Sequence, residues 1–178
     1  MINSIFVYRY ETNSLKQKNI KLDSVDVQIV RQLRKNARLS NKALAAAVGL
    51  AQSSCLERVR RLRMARVLTG YHAEVEPDAL GIGLQALVAI RLVRHARANV
   101  EAFENHLDGL SEVVTIFHIA GANDYLVHVA VRDSAHLREL ALSAFTEREE
   151  VAHIETQLIF AHRRSHELPV YLDLEGQD

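Results

Sequence analysis

The chain has 178 residues, is 48% hydrophobic and has a formal net charge of zero. This composition suffices for packed cores in one or two domains. No apolar run approaches the ~18 residues that a membrane span needs. The N-terminus lacks a signal-peptide pattern, so a cytoplasmic protein with no membrane partner is expected. Cys55 is the single cysteine, which excludes an internal disulfide.

The neutral total conceals an uneven distribution of charge. Residues 1–70 hold 14 lysines and arginines against 4 aspartates and glutamates, a net charge of +10. Residues 71–178 hold 8 against 18, a net charge of −10, together with all nine histidines. Such asymmetry favours a nucleic-acid-binding module joined to a module that does not touch phosphate.

The first 69 residues predict an N-terminal extension followed by a three-helix unit. Residues 1–20 are of mixed composition and receive no function. Apolar residues at helical spacing then predict a helix to about Asn36, capped by Asp23 or Ser24. Together with the helix pair that follows, it makes residues 21–69 a DNA-binding domain.

The helix pair within residues 40–62 is typical of a helix-turn-helix. Gly49 can adopt the left-handed conformation that ends the first helix and redirects the chain. Ser53 or Ser54 is then predicted to cap the second helix. The inward side of that second helix is formed by Cys55, Val59 and Leu62.

The outward side of the second helix suits the major groove of DNA, where the N-terminal side chains of such a helix meet base edges. Arginine bonds a guanine edge in bidentate fashion, and serine bonds several bases. Arg38 and Lys42 either reach phosphates or serve only solubility. The alternative for the whole stretch is a basic, solvated helix in an ordinary bundle. The predicted DNA-binding residues are Arg38, Lys42, Gln52, Ser53, Ser54, Glu57, Arg58 and Arg61.

Residues 70–83 predict a linker strand, in which Gly70 marks either a short strand pair or a strand leading out of the domain. The hydrophobic period then alternates between that of a strand and that of a helix through residues 84–170. The predicted elements are strand 84–94, helix 97–110, strand 112–120, strand 125–132, helix 134–148 and strand 151–163.

This order is that of a ferredoxin-like split βαβ fold, in which helices cover one side of an antiparallel sheet. Apolar residues left on the other side favour pairing with another chain. Residues 171–178 form a C-terminal tail. The loop from Gly121 to Asp124 is predicted to be a turn. Its glycine, asparagine and aspartate are common in hairpin turns whether or not the loop binds a ligand. The same loop offers backbone N–H groups to a carboxylate and a negative charge to an ammonium group.

The motifs LDSVDVQIVRQLRKNARLSNKALAAAVGL, CLERVRRL and VLTGYHAEVEP are followed by HIAGANDYLVHVAV. In this order they resemble the leucine-responsive/asparagine-regulator (Lrp/AsnC, feast/famine) family of bacterial and archaeal transcription factors, over roughly residues 22–170. The resemblance implies an α+β fold, with an N-terminal helix-turn-helix (winged-helix-like) domain and a C-terminal ferredoxin-like βαββαβ ligand-sensing domain.

The resemblance also implies how such a chain assembles and which class of effector it binds. Members of the family dimerise through their C-terminal sheets and commonly form octamers. Their effectors are usually amino acids, bound between dimers near the loop that contains Gly121. The effector-binding residues carried over by position are Gly121, Asn123, Asp124 and Tyr125, with Thr156 as a weaker candidate.

Catalysis and metal binding find no support in the sequence. His118, His128 and His153 fall on three predicted strands, but strand histidines are commonly structural and no metal is expected. No nucleophile, base and orienting group occur at motif spacing, so neither an enzyme nor a cofactor is expected.

Three functions remain open from the sequence. The leading hypothesis is a transcriptional regulator that binds double-stranded DNA, assembles with itself and responds to an amino-acid effector. The alternative is an architectural DNA-compacting protein without an effector. A third possibility is a small enzyme or metabolite carrier on the ferredoxin-like domain.

Overall fold

The computed structural model describes residues 20–93, 97–165 and 167–172. The predicted extension, apart from Ile20, and the tail beyond Leu172 lie outside them. The described residues divide into two compact units. The head contains residues 20–73 together with the described residues from 163 onward, and the sheet domain contains those between 74 and 162. No helix within these ranges combines the length and apolar character that crossing a bilayer requires.

The head consists of three helices: α1 (Ser24–Lys35), α2 (Asn41–Ala47) and α3 (Gln52–Met64). Asp23 caps α1 and forms a reciprocal capping box with Asp26. The Ser40 side chain accepts the N–H of Ala43 at the start of α2. These short polar side chains satisfy N–H groups that have no partner within the helix.

The predicted cap of α3 is wrong, because α3 begins before either serine. Ala51 is its N-cap residue, in an extended conformation and without a side-chain hydrogen bond. Ser53 and Ser54 lie in the first helical turn instead. The reason is the short connection from α2, in which Gly49 has φ 68° and the N–H of Leu50 donates to the carbonyl of Ala45. The left-handed glycine turn itself is confirmed.

The segment after α3 corrects the prediction of a linker strand over residues 70–83. This segment forms no strand; it is irregular as far as a 3₁₀ turn at Pro77–Leu80. A strand requires a neighbour, and the sheet that the described residues form contains four strands, with none from this segment. Val67 and Leu68 instead fold back, and their N–H groups donate to the carbonyl of Leu62.

The sheet domain has the predicted ferredoxin-like order. Its four antiparallel strands lie in the order β2-β3-β1-β4. Its elements are β1 (Leu84–Leu92), α4 (Arg97–Asp108), β2 (Val113–His118), β3 (Tyr125–Val131), α5 (Ser134–Leu140) with a π-helical turn (Ala141–Thr146), and β4 (Val151–Leu158).

Alternation along the two inner strands builds the core. Val88 and Ile90 of β1 and Val127 of β3 are fully buried beneath the helices, where they meet Phe103 and Phe145. Successive side chains of a strand point to opposite faces, so each inner strand contributes every second residue to this core.

The second helix of the sheet domain departs from its predicted span. Its cap is Asp133, whose carboxylate accepts the N–H of His136 at 2.8 Å. After Leu140 the chain widens into the π-helical turn, where the Thr146 hydroxyl donates to the carbonyl of Ala141. The predicted continuous helix 134–148 is therefore two conformations in succession.

The face of the sheet that carries no helix has a mixed character. Cross-strand pairing brings Phe117, Leu126 and Ala89 side by side on three neighbouring strands. Phe117 is 48% exposed in the single chain. Beside this row, His128 and Gln85 form a 2.8 Å hydrogen bond. Burial lowers the pKa of His128, with a smaller contribution from His162, which favours the neutral ring.

One glycine provides a direct test of this packing. A Cβ at Gly83 would lie 2.4 Å from the backbone carbonyl oxygen of Arg132. We expect Gly83→Ala to lower the free energy of unfolding by about 1–3 kcal/mol, because the strands would have to separate. Calorimetric melting of the domain measures this loss. Gly109→Ala is the control, since its Cβ would approach no atom closer than 3.3 Å. Equal melting temperatures for the two variants would contradict the clash.

Candidate DNA-binding surface and effector loop

The start of α3 presents polar side chains to solvent. Gln52, Ser53, Ser54 and Glu57 are exposed. The side-chain amide of Asn41 donates to the carbonyl of Gln52 at 2.8 Å, which ties the start of α2 to the start of α3. Hydroxyl, amide and carboxylate groups are therefore displayed on the first two turns of a helix whose position is fixed by α2.

An acidic clamp, formed by Asp23, Asp26, Arg58 and Arg61, joins α3 to the N-terminus of α1. Asp26 is the one fully buried charged side chain among the described residues. One of its carboxylate oxygens accepts Arg58 Nη1 at 2.9 Å, and the other accepts Arg61 Nη2 at 2.5 Å. A buried carboxylate is stable only with such partners, so the clamp fixes how α3 is rotated against α1.

Asp23 completes the clamp from the cap of α1. Its carboxylate accepts Arg58 Nη1 at 2.6 Å and the backbone N–H of Asp26 at 2.8 Å. Partial burial would raise the pKa of Asp23, but the Arg58 hydrogen bond and the backbone N–H groups outweigh it and hold that pKa below its ordinary value. The same carboxylates raise the pKa of Arg58.

The two arginines that the sequence assigned to DNA are thus engaged within the head. The sequence analysis interpreted Asp23 as a candidate cap of α1 and predicted no partner on α3 for Asp23 or Asp26. Their partners on α3 lie 32 to 35 residues further along the chain, and no local pattern indicates that contact. Contacts with bases by Arg58 and Arg61 stay a prediction.

The remaining basic residues of the head are differently placed. Lys42 is exposed, and so is Arg38, whose backbone N–H donates to the Asn36 side chain at 2.9 Å. The choice between phosphate contact and solubility stays open for both. Arg60 is exposed on the outward side of α3 and was missed by the sequence analysis. Its spacing from Ser53 and Glu57, at i+7 and i+3, was the available signal.

The effector loop, residues 119–124, is held to the end of β1 by Asp124. Its backbone N–H donates to the Ile90 carbonyl at 2.8 Å, and its own carbonyl accepts the N–H of Ile119 at 2.8 Å. Its carboxylate accepts the N–H of Leu92 at 2.7 Å. Gly121 is exposed with φ 142°, a conformation that favours glycine, and Asn123 is partly buried.

The side chain of Tyr125, the last effector-binding residue carried over from the family, lies in the core of the sheet domain. Its side chain is fully buried beneath α4, at a ring distance of 5.3 Å from Phe103 and stacked on His118 at 4.7 Å. Its hydroxyl donates to Glu104 at 3.2 Å. The ring therefore belongs to the core of this domain, because the strand that begins at Tyr125 turns this side chain inward, and a contact of Tyr125 with an effector stays a prediction.

Thr156 does not lie beside the effector loop. It lies on β4 and pairs with Val88 of β1. β4 is two strands away from β3, which corresponds to about 10 Å across the sheet. The loop residues Gly121, Asn123 and Asp124 come together, whereas Thr156 does not join them. Thr156 is exposed.

Two histidines elsewhere in the sheet domain form hydrogen bonds with neighbouring groups. His136 lies 3.2 Å from Glu112, and His106 bonds the carbonyl of Ala144 at 2.8 Å. Among the residues whose positions are described, no three His, Cys, Asp or Glu side chains converge as a metal site would require.

Both units of the chain match known protein domain families. Residues 22–63 match the AsnC-type helix-turn-helix domain, and residues 85–167 match the Lrp/AsnC ligand binding domain. The chain is 38% identical to the HTH-type transcriptional regulator AldR of Mycolicibacterium smegmatis over 143 residues, 80% of this chain and 84% of AldR. It is 36% identical to the leucine-responsive regulatory protein of Escherichia coli K12 over 128 residues, 72% and 78% of the two chains.

Solved structures agree with these relatives. A transcriptional regulator of Neisseria meningitidis, crystallised in complex with L-Met, superposes with a TM-score of 0.78 and 27% identity over 84% of this chain and 97% of its own. LrpC of B. subtilis gives a TM-score of 0.73 and 25% identity over 82% and 99%.

A helix-turn-helix head followed by a four-stranded ligand-binding domain defines a class of transcriptional regulators. Within that class, the chain belongs to the Lrp/AsnC family. Its relatives are regulators, and the fold predicted from the sequence is confirmed.

The clamp predicts an acid dependence of the head. The pKa of Asp23 is lowered in the fold, so its stabilisation is complete above the ordinary value of 3.8 and is lost as the pH falls through the folded value. Asp23→Asn keeps a capping side chain but removes this titration. We expect the protection of the α1 amides against hydrogen exchange, relative to an unfolded chain, to depend less on pH in the variant than in the wild type.

The control for this measurement is Asp133→Asn, which alters a capping aspartate of the sheet domain. It should leave the exchange of α1 unchanged at every pH. Identical pH profiles for Asp23→Asn and the wild type would show that Asp23 contributes no titrating stabilisation to the head.

Proposed function

We propose that this chain is a sequence-specific DNA-binding regulator whose assembly or DNA affinity responds to an amino acid or a related small metabolite. The observation that carries the proposal is the exposed polar start of α3 on a basic head, in a chain that also contains a ligand-binding domain of this family. The proposed readout of DNA uses hydrogen bonds in the major groove, supplemented by phosphate attraction to the head.

The proposed effector site is the loop that contains Gly121, Asn123 and Asp124. An exposed glycine permits close approach of a ligand to the backbone, whose N–H groups suit a carboxylate. The charge of Asp124 suits an ammonium group. An amino-acid effector is also supported by the Neisseria relative crystallised with L-Met.

The proposed assembly is a dimer that pairs the open faces of two sheets, with an octamer as the higher state. The row Phe117, Leu126 and Ala89 offers an apolar surface that a second copy would cover. Sheets that pack face to face lie about 10 Å apart and interdigitate such side chains. Two heads then meet DNA together, which favours an operator with two related half-sites.

No catalytic step is proposed for this chain, because its relatives are transcriptional regulators. The alternative within DNA binding is an architectural role without an effector. Its support is the effector loop itself, since Asp124 already bonds the end of β1 and Gly121 serves a turn.

The effector proposal is tested by Asp124→Asn, in which the side-chain oxygen still accepts the N–H of Leu92 while the charge is removed. We expect calorimetry against the twenty amino acids to find a ligand for the wild type, and Asp124→Asn to bind that ligand at least tenfold more weakly. The melting temperature should stay near that of the wild type, because the hydrogen bond is retained.

The matched control is Asp133→Asn, which removes a carboxylate charge at the opposite end of β3, where Asp133 also accepts a backbone N–H. It should bind the ligand as the wild type does. A wild type that binds none of the amino acids would support the architectural role. Equal binding by the wild type and Asp124→Asn would place the ligand elsewhere.

The dimer is tested by Leu126→Glu. A carboxylate in the centre of an apolar interface must lose its hydration, so we expect this variant to be a monomer at micromolar concentration in light scattering. Ala102→Glu, on the exposed side of α4, is the control and should leave the mass of the wild-type oligomer unchanged. A wild type that is itself monomeric would refute the proposed assembly.

A further inference from the structure

The outward face of α3 is a narrow stripe that excludes both arginines of the clamp. Cys55 and Leu62 are fully buried and define the inward side of the helix. With 3.6 residues per turn, the opposite side carries Ser53, Glu57 and Arg60 at i, i+4 and i+7. All three are exposed, and together they are called the reading stripe below.

The arginines of the clamp lie beside the reading stripe, where Arg58 is half-buried and Arg61 is exposed, and both are held by ion pairs. Arg58 Nη1 is shared between Asp23 and Asp26, and Arg61 Nη2 bonds Asp26. Turning either guanidinium toward a base would remove a partner from the buried Asp26 carboxylate, which is strongly unfavourable. The reading stripe carries no such restraint.

We propose that Ser53, Glu57 and Arg60 read the bases of the operator, whereas Arg58 and Arg61 are positioning residues that set the rotation of α3 through Asp26. This inference rests on the proposed DNA-binding function and specifies the residues that perform it. The difference from the sequence interpretation is that Arg60 replaces Arg58 and Arg61 as the arginine that contacts a base.

The chemistry of the reading stripe defines the kind of DNA sequence that it fits. Arginine donates two hydrogen bonds to O6 and N7 of guanine, glutamate accepts from N4 of cytosine, and serine bonds several bases. Seven helical residues span about 10 Å. This length matches roughly three base-pair steps of about 3.4 Å each. A half-site therefore contains a guanine for Arg60 and a nearby cytosine for Glu57.

The test selects bound sequences from a pool of randomised duplexes with the full chain. Three variants that each remove one charge are compared: Arg60→Gln, Arg61→Gln and the control Arg63→Gln, whose side chain is exposed outside the stripe and the clamp. We expect Arg60→Gln to lose its base preference at one position. It should also bind the duplex selected by the wild type about 5- to 150-fold more weakly.

The other two variants should prefer the same bases as the wild type, because neither loses a side chain of the reading stripe, but Arg61→Gln should bind the selected duplex more weakly because the orientation of α3 is less restrained. Arg63→Gln should weaken binding to selected and scrambled duplexes by the same factor, as the loss of a phosphate contact does. Arg61→Gln should lower the melting temperature of the head, since Asp26 loses one of its two guanidinium partners. Adding Asp26→Asn to Arg61→Gln removes the buried charge and should restore that melting temperature without changing the selected sequence.

Two outcomes with the variants would overturn this inference while sequence-specific DNA binding stands. One is an altered sequence preference in Arg61→Gln that persists in the double variant, because Arg61 would then read a base. The other is identical behaviour of Arg60→Gln and Arg63→Gln. A wild type that binds scrambled and selected duplexes equally would overturn it in favour of the architectural role. A wild type that binds no duplex would refute the proposed function itself.

Discussion

The buried carboxylate of Asp26 is the constraint on which the head depends. A charge removed from water must be paired, and its two oxygens take guanidinium groups from successive turns of α3. Apolar contacts such as those of Cys55 and Leu62 hold α3 against the head, but the hydrophobic effect is non-directional. Ion pairs with hydrogen-bond geometry are directional, so the clamp selects one orientation of α3. Since the side chains that face DNA follow from that orientation, a residue inside the head determines what its surface presents.

The sheet domain shows a comparable link between one carboxylate and a surface. Asp124 ties the effector loop to the end of β1 through Leu92 and Ile90. A ligand that takes hydrogen bonds from this loop would compete with, or reinforce, contacts that hold an inner strand of the sheet. The row of Leu126 and Ala89 lies on the same two strands. A ligand with different affinities for two arrangements of these strands would shift the assembly.

The sequence was most informative where structure follows from local spacing. Helical periods located all three helices of the head, and strand alternation located the four strands and their order. Non-local contacts were beyond it. The clamp joins residues more than 30 positions apart. The segment predicted as a linker strand pairs with no strand of the sheet, and local spacing does not indicate which strands pair. Tyr125 is instructive, because strand alternation puts its side chain on the same face as Val127 and Val129, which is the core. The family resemblance assigns it to the effector site, and that assignment stays a prediction.

The distribution of acids within the head supports the division of roles on α3. The helical part of the head, residues 20–70, contains 11 lysines and arginines but only three acids: Asp23, Asp26 and Glu57. An acid near the phosphates of DNA opposes binding, and at ordinary ionic strength this repulsion extends over about 10 Å. Two of the three acids are compensated within the clamp, where each meets a guanidinium. The third, Glu57, is exposed on the reading stripe, where a carboxylate discriminates cytosine by its amino group. An uncompensated acid at that position opposes binding to any duplex that lacks a matching donor. Glu57 would therefore reduce affinity for most DNA and increase the difference between the operator and the rest.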